Sequence, residues 1–109
     1  MAPETIPALL EQIDELLAEP AEEPASLARL ERTLTDGYAY ALALEAERWR
    51  LEQRMSELAG GLSDGNQELK TKELALVSDR LAANDSLLSG LRGELTRLRA
   101  RTSAVRRVG

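Results

Sequence analysis

Cysteine, histidine and phenylalanine are absent from this chain, and its aromatic side chains are Tyr38, Tyr40 and Trp49. Without Cys there is no disulfide framework and no thiolate chemistry. Without His the commonest general base and the commonest metal ligand are missing. No apolar run approaches the roughly 20 residues that cross a bilayer, so no membrane partner is expected. The start, Met1-Ala2-Pro3-Glu4, is acidic and does not read as a secretory signal. The expected location is the cytoplasm.

Further absences bear on catalysis. Ser and Lys occur without recognisable catalytic context. Glu45 with Glu52, and Asp79 with Asp85, read as solvated helix faces rather than paired catalytic acids. A carboxylate metal site in a helix bundle usually takes Glu-x-x-His pairs, and none is present. Gly60-Gly61 is not followed by the Lys-Ser or Lys-Thr of a phosphate loop. The sequence reads as a protein with no enzymatic activity, no metal and no cofactor.

What the chain has is Ala, Leu, Glu and Arg, all good helix formers, in the proportions of a coiled coil. At 109 residues it is one domain at most. An extended helical pair buries less surface than a sphere of that length, so burial shared with a second copy would help. The predicted class is all-α: a long antiparallel helical hairpin over 25–109, turning near 60–66, preceded by an acidic amphipathic helix and linker over 1–24.

The first helix is predicted over Ile6 to Ala18, with Thr5 as N-cap and Pro7 tolerated in the first turn. Ile6, Leu9, Leu10, Ile13, Leu16 and Leu17 make one apolar stripe. Alone such a helix is marginal in water, so it must dock, on its own hairpin or on another subunit or protein. Glu19-Pro20-Ala21-Glu22-Glu23-Pro24 interrupts it as a linker.

The second helix is expected from Pro24 or Ser26 to Ala59. Leu27, Leu30, Leu34, Gly37, Ala41, Leu44, Arg48, Leu51, Met55 and Leu58 keep a heptad seam. Arg48 can lie along it on an apolar stem and reach outward. Gly60 is the expected left-handed residue after the helix, and Asp64 or Asn66 the cap of the third. The third helix, about Gln67 to Arg107, repeats the spacing at Leu74, Val77, Leu81, Asn84, Leu88, Leu91, Leu95, Leu98, Thr102 and Val105. The simplest register sets Leu51 opposite Leu74, Leu44 opposite Leu81, Gly37 opposite Leu88, and Arg48 opposite Val77; a register shifted by one heptad is the alternative. On the seam, Asn84 is either a buried device that fixes register or an edge residue that meets water. Gly37 marks a bend or a continuous stretch rather than a true break, because the heptad phase survives it.

Each long helix carries a second apolar stripe. One runs through Tyr38, Leu42 and Trp49; the other through Leu69, Leu76, Ala83 and Gly90, with Leu87 alongside. Two stripes call for two neighbours. The expected partner is therefore a second copy, in a twofold dimer with a four-helix core contacting through Tyr38, Leu42, Trp49, Leu69 and Leu76. Another helical protein is the further partner considered.

The two ends are opposite in sign. Residues 1–24 hold Glu4, Glu11, Asp14, Glu15, Glu19, Glu22 and Glu23 with no Lys or Arg. Near the other end Arg92, Arg97, Arg99, Arg101, Arg106 and Arg107 face a single Glu94. Docking of the first helix would bring Glu19, Glu22 and Glu23 near Arg97, Arg101 and Arg106. The predicted function is a non-catalytic, self-associating adaptor or scaffold. The runner-up is nucleic-acid binding through the Arg-rich helix, weakened by the acidic net charge of −5 and by the lack of interleaved aromatics.

Overall fold

The computed structural model describes residues 5–19, 26–61 and 65–108. Among these residues the chain is all-helical: α1 spans Ile6–Ala18, α2 Leu27–Gly60 and α3 Gln67–Val108. None of the helices is long and apolar enough to cross a membrane. Residues 20–25 and 62–64 lie outside the described residues, so the expected roles of Glu22, Glu23, Pro24 and Asp64 are not described.

Each helix begins on a side chain that satisfies an orphan amide. Thr5 Oγ1 accepts from Ala8 N at 3.2 Å. Ser26 Oγ accepts from Arg29 N at 3.2 Å. Asn66 Oδ1 accepts from Leu69 N at 3.2 Å, so Asn66 is the cap of α3. The end of α2 differs from the expectation. Gly60 is still helical, and Gly61 N continues the ladder onto Glu57 O at 3.0 Å. Lys70 Nζ then donates to Gly61 O at 2.6 Å, a cation on the negative end of the helix dipole. Among the described residues the left-handed one is Gly65, with φ at 85°. A lysine cap, rather than a left-handed glycine, satisfies the last carbonyl.

The chain divides into two compact units: Met1–Leu42 with Ser89–Gly109, and Ala43–Leu88. In the first unit Leu9, Ile13 and Leu16 of α1 lose all exposure, as do Leu30, Leu91 and Leu98. Ile6, Leu10 and Leu17 are half-buried beside them. Each fully buried Leu or Ile contributes about 1.5–3 kcal/mol. Buried Thr33 is satisfied twice: its Oγ1 donates to Arg29 O at 3.0 Å and accepts from Gln12 Nε2 of α1 at 3.1 Å. Thr102 Oγ1 donates back to Leu98 O at 2.8 Å.

Gly37 meets Leu95, not Leu88. The pairing is shifted one heptad from the simplest register. A Cβ at Gly37 would collide with Leu95 Cδ2, so the absent side chain makes room for a buried leucine.

In the second unit Leu51, Leu58 and Val77 form the core, with Met55, Leu74 and Leu81 packed around them. Arg48 Nε lies 3.1 Å from Asp85 Oδ1. That contact puts Arg48 level with the polar pair Asn84-Asp85 rather than with Val77. Compared with the expected register, the charge of Arg48 meets polar side chains instead of Val77.

Two stability measurements check this packing. Ile13→Ala should cost about 2–4 kcal/mol in urea unfolding, because a fully buried side chain is lost. A cost under about 0.5 kcal/mol, the size of an ordinary surface change, would show α1 undocked in solution. Gly90→Ala and Gly93→Ala, with open space around them, should each stabilise by about 0.5–1 kcal/mol. Gly37→Ala should instead be neutral or destabilising, since overpacking against Leu95 costs about 1–3 kcal/mol.

Candidate functional site

The second stripes are exposed. Tyr38 is 47% exposed, Leu42 69%, Trp49 63%, Leu69 63%, Leu76 63% and Leu87 41%. Such values are far from those of core leucines and leave these side chains available for cover.

The ion pairs of the second unit show which flank each residue occupies. Arg48 Nε lies 2.9 Å from Glu52 Oε1 and in ion-pair range of Asp85 Oδ1, across one flank of the α2–α3 contact. Trp49 stands three residues before Glu52, hence beside it on that flank. Arg54 bridges to Glu73 and to Glu57 on the other flank, at 2.5 Å and 3.2 Å. The Glu73 hydrogen bond, then that of Glu57, raises the Arg54 guanidinium above its ordinary pKa. Leu69 and Leu76 stand four before and three after Glu73, so they share the Arg54–Glu73 flank. Of the five residues expected in one interface, the three in the second unit divide: Trp49 lies on one flank, Leu69 and Leu76 on the opposite one.

In the first unit Tyr38 faces arginines. A groove of about 440 Å³ is lined by Leu34 and Tyr38 of α2 and by Arg99, Thr102, Ser103 and Arg106 of α3. Sequence reading missed this groove. Its only signal was the e-type heptad spacing of Tyr38, Arg99 and Arg106, which becomes informative once the register is known.

The arginines of the basic patch are largely committed within the chain. Arg106 Nη2 and Nε bond Glu31 Oε1 at 2.8 Å and 3.2 Å. Arg97 pairs with Glu94 at 2.5 Å. Arg101 donates to the backbone oxygen of Glu19, and Arg107 Nε to Ser103 O at 3.5 Å. Arg92 also has a partner within the chain. The Glu19 carboxylate goes to Arg29 at 3.3 Å, a partner the sequence reading did not name. These pairs are exposed or half-exposed and worth about 0–1 kcal/mol each, so they orient α1 more than they hold it.

One polar side chain of the second unit is buried. Asn84 is 6% exposed, and its Oδ1 lacks a hydrogen-bond donor. Asp85 Oδ1 is in ion-pair range of Arg48 but likewise accepts no hydrogen bond. Among the described residues no group of His, Cys, Asp or Glu has the arrangement of a metal site. No family model, no curated protein and no solved structure matches this chain.

An orphaned buried acceptor costs about 1–3 kcal/mol. Asn84→Leu should therefore raise stability by about 1–2 kcal/mol in urea unfolding. A loss of stability would show that the amide is paired in solution.

Proposed function

We propose that this protein is a non-catalytic, self-associating helical-hairpin adaptor or scaffold, with α2 and α3 as antiparallel, coiled-coil-like arms. The observation that carries the reading is the exposure of Leu42, Trp49, Leu69 and Leu76 on helices whose seam side is already packed. Contacts within each unit support antiparallel arms: Gly37 with Leu95 and Glu31 with Arg106 in one, Arg48 with Asp85 and Arg54 with Glu73 in the other.

A second copy is the first partner. Covering one exposed leucine yields at most about 1.5–3 kcal/mol, whereas association costs at least about 4 kcal/mol. Several apolar side chains must therefore be covered together, as in a four-helix bundle. With Trp49 on the flank opposite Leu69 and Leu76, one copy fills one flank and leaves the other for a different helical protein. That is what an adaptor needs. The nucleic-acid reading draws less support, since Arg97, Arg101 and Arg106 are engaged by acidic or carbonyl oxygens of the chain itself.

Light scattering on the eluting protein tests the reading. At tens to hundreds of micromolar the mass should approach twice the 12.0 kDa of the chain, falling on dilution. A constant 12.0 kDa throughout would overturn it.

A further inference from the structure

Arg99 is the member of the basic patch with no partner among the described residues. It lines the groove of the first unit with Leu34, Tyr38, Thr102, Ser103 and Arg106. The heptad pattern shows why it is left over. At steps of seven, α2 carries Glu31, Tyr38, Glu45 and Glu52, while α3 carries Arg92, Arg99 and Arg106. Glu31 pairs with Arg106. One heptad on, the α2 position holds a tyrosine, so the arginine that shares the groove with it meets no carboxylate. We infer that this groove binds a carboxylate side chain of a partner protein, presented on an acidic amphipathic helix. The inference rests on the adaptor reading above only in expecting a protein partner.

The groove offers donors. Arg99 is exposed, with its whole guanidinium available. Arg106 gives Nε and Nη2 to Glu31, which leaves Nη1. Tyr38 Oη and Ser103 Oγ also have no hydrogen-bond partner among the described residues. Thr102 Oγ1 is engaged by Leu98 O and serves as wall. Arg99 and Arg106 stand about 10.5 Å apart along α3, with Ser103 between them. A planar carboxylate accepts two parallel N–H bonds from one guanidinium. Charge selects it over phosphate. Arg99, Arg106 and Glu31 sum to a single positive charge, which one carboxylate cancels. A phosphate monoester brings about −1.5 to −2 and sets the excess beside Glu31. A nucleic acid repeats that charge against a chain of net charge −5. The apolar wall selects a peptide over a free acid, because a lone exposed ion pair is too weak to hold a small carboxylate. Leu34 and Tyr38 line the groove, and Leu42, one turn on from Tyr38, is 69% exposed. A helix that sets a leucine on Tyr38 and Leu42 and a glutamate on Arg99 uses both features.

Fluorescence anisotropy on the full chain tests this, with a fluorescein-labelled peptide repeating Leu-Glu-Glu-Leu-Ala-Glu-Ala as the probe. Wild-type protein at up to hundreds of micromolar should bind it, and more weakly as salt rises. The same repeat with Gln for every Glu should bind about tenfold more weakly. Arg99→Gln should weaken binding of the acidic peptide about tenfold as well. Arg99→Lys, which keeps the charge but not the planar fork, should weaken it less. Tyr38→Glu puts the chain's own carboxylate in the gap and should abolish binding. Arg97→Gln, outside the groove, should leave it unchanged. All three positions are exposed, so folding is not at stake, and unchanged helicity by circular dichroism confirms this for each variant. No binding by the wild-type protein overturns the inference. So does binding that survives Arg99→Gln or Tyr38→Glu, an equal loss with Arg97→Gln, or equal affinity for the Gln peptide. Tighter binding of a labelled DNA duplex, abolished by Arg99→Gln, overturns it in favour of phosphate. Self-association is read separately, from the mass, so the two readings fail independently.

Discussion

The structure depends on a geometric limit: one neighbouring helix covers one apolar stripe of an amphipathic helix and no more. The chain has no Phe, and it fills its seams chiefly with leucine at heptad spacing. Where α2 and α3 meet, that seam closes. Leu51, Leu58 and Val77 are buried in one unit, and Leu30, Leu91 and Leu98 in the other. Whatever apolar surface lies off the seam needs a further neighbour. In the first unit α1 supplies one, and its Leu9, Ile13 and Leu16 lose all contact with water. The second unit contains no stretch of α1, and there Trp49, Leu69 and Leu76 stay exposed. Tyr38 and Leu42 of the first unit stay exposed as well, and the reading of the chain as an interaction protein rests on these uncovered side chains.

Polar groups placed in or beside the seam do a different job. Asn84 and Arg48 weaken the apolar contact of the second unit. Yet an alignment that moved Arg48 opposite a leucine would lose its pair with Asp85. Such a layer disfavours slippage at a cost in stability. The surface pairs act more weakly. Glu31–Arg106, Arg54–Glu73 and Arg29–Glu19 all have substantial exposure, and water screens them. Their value is directional: they mark the two flanks of the α2–α3 contact, which determines which exposed side chains can share a partner.

Much of the local structure was legible in the residues. Thr5, Ser26 and Asn66 are cap residues immediately before helical periodicity, and all three cap. The limits of α1 follow from Thr5, Pro7 and the stripe from Ile6 to Leu17. The seam positions of both long helices are buried or half-buried, with Arg48 alone exposed. Which glycine turns left-handed was not legible. Gly60, Gly61 and Gly65 are equally able to do so; in the structure Gly65 is left-handed and Lys70 meets the carbonyl of Gly61.

The sequence by itself determined helix type, the limits of α1 and the existence of the apolar stripes, because periodicity and capping act over a few residues along one chain. Only the tertiary structure decided the register. A heptad pattern maps onto itself when slid by one repeat, so leucine still meets leucine. It took the contact of Gly37 with Leu95, and of Arg48 with Asp85, to fix the alignment. The same contacts assigned the flanks, separating Trp49 from Leu69 and Leu76. A residue's flank is defined only relative to the helix it packs against, and no local signal in the chain names that helix.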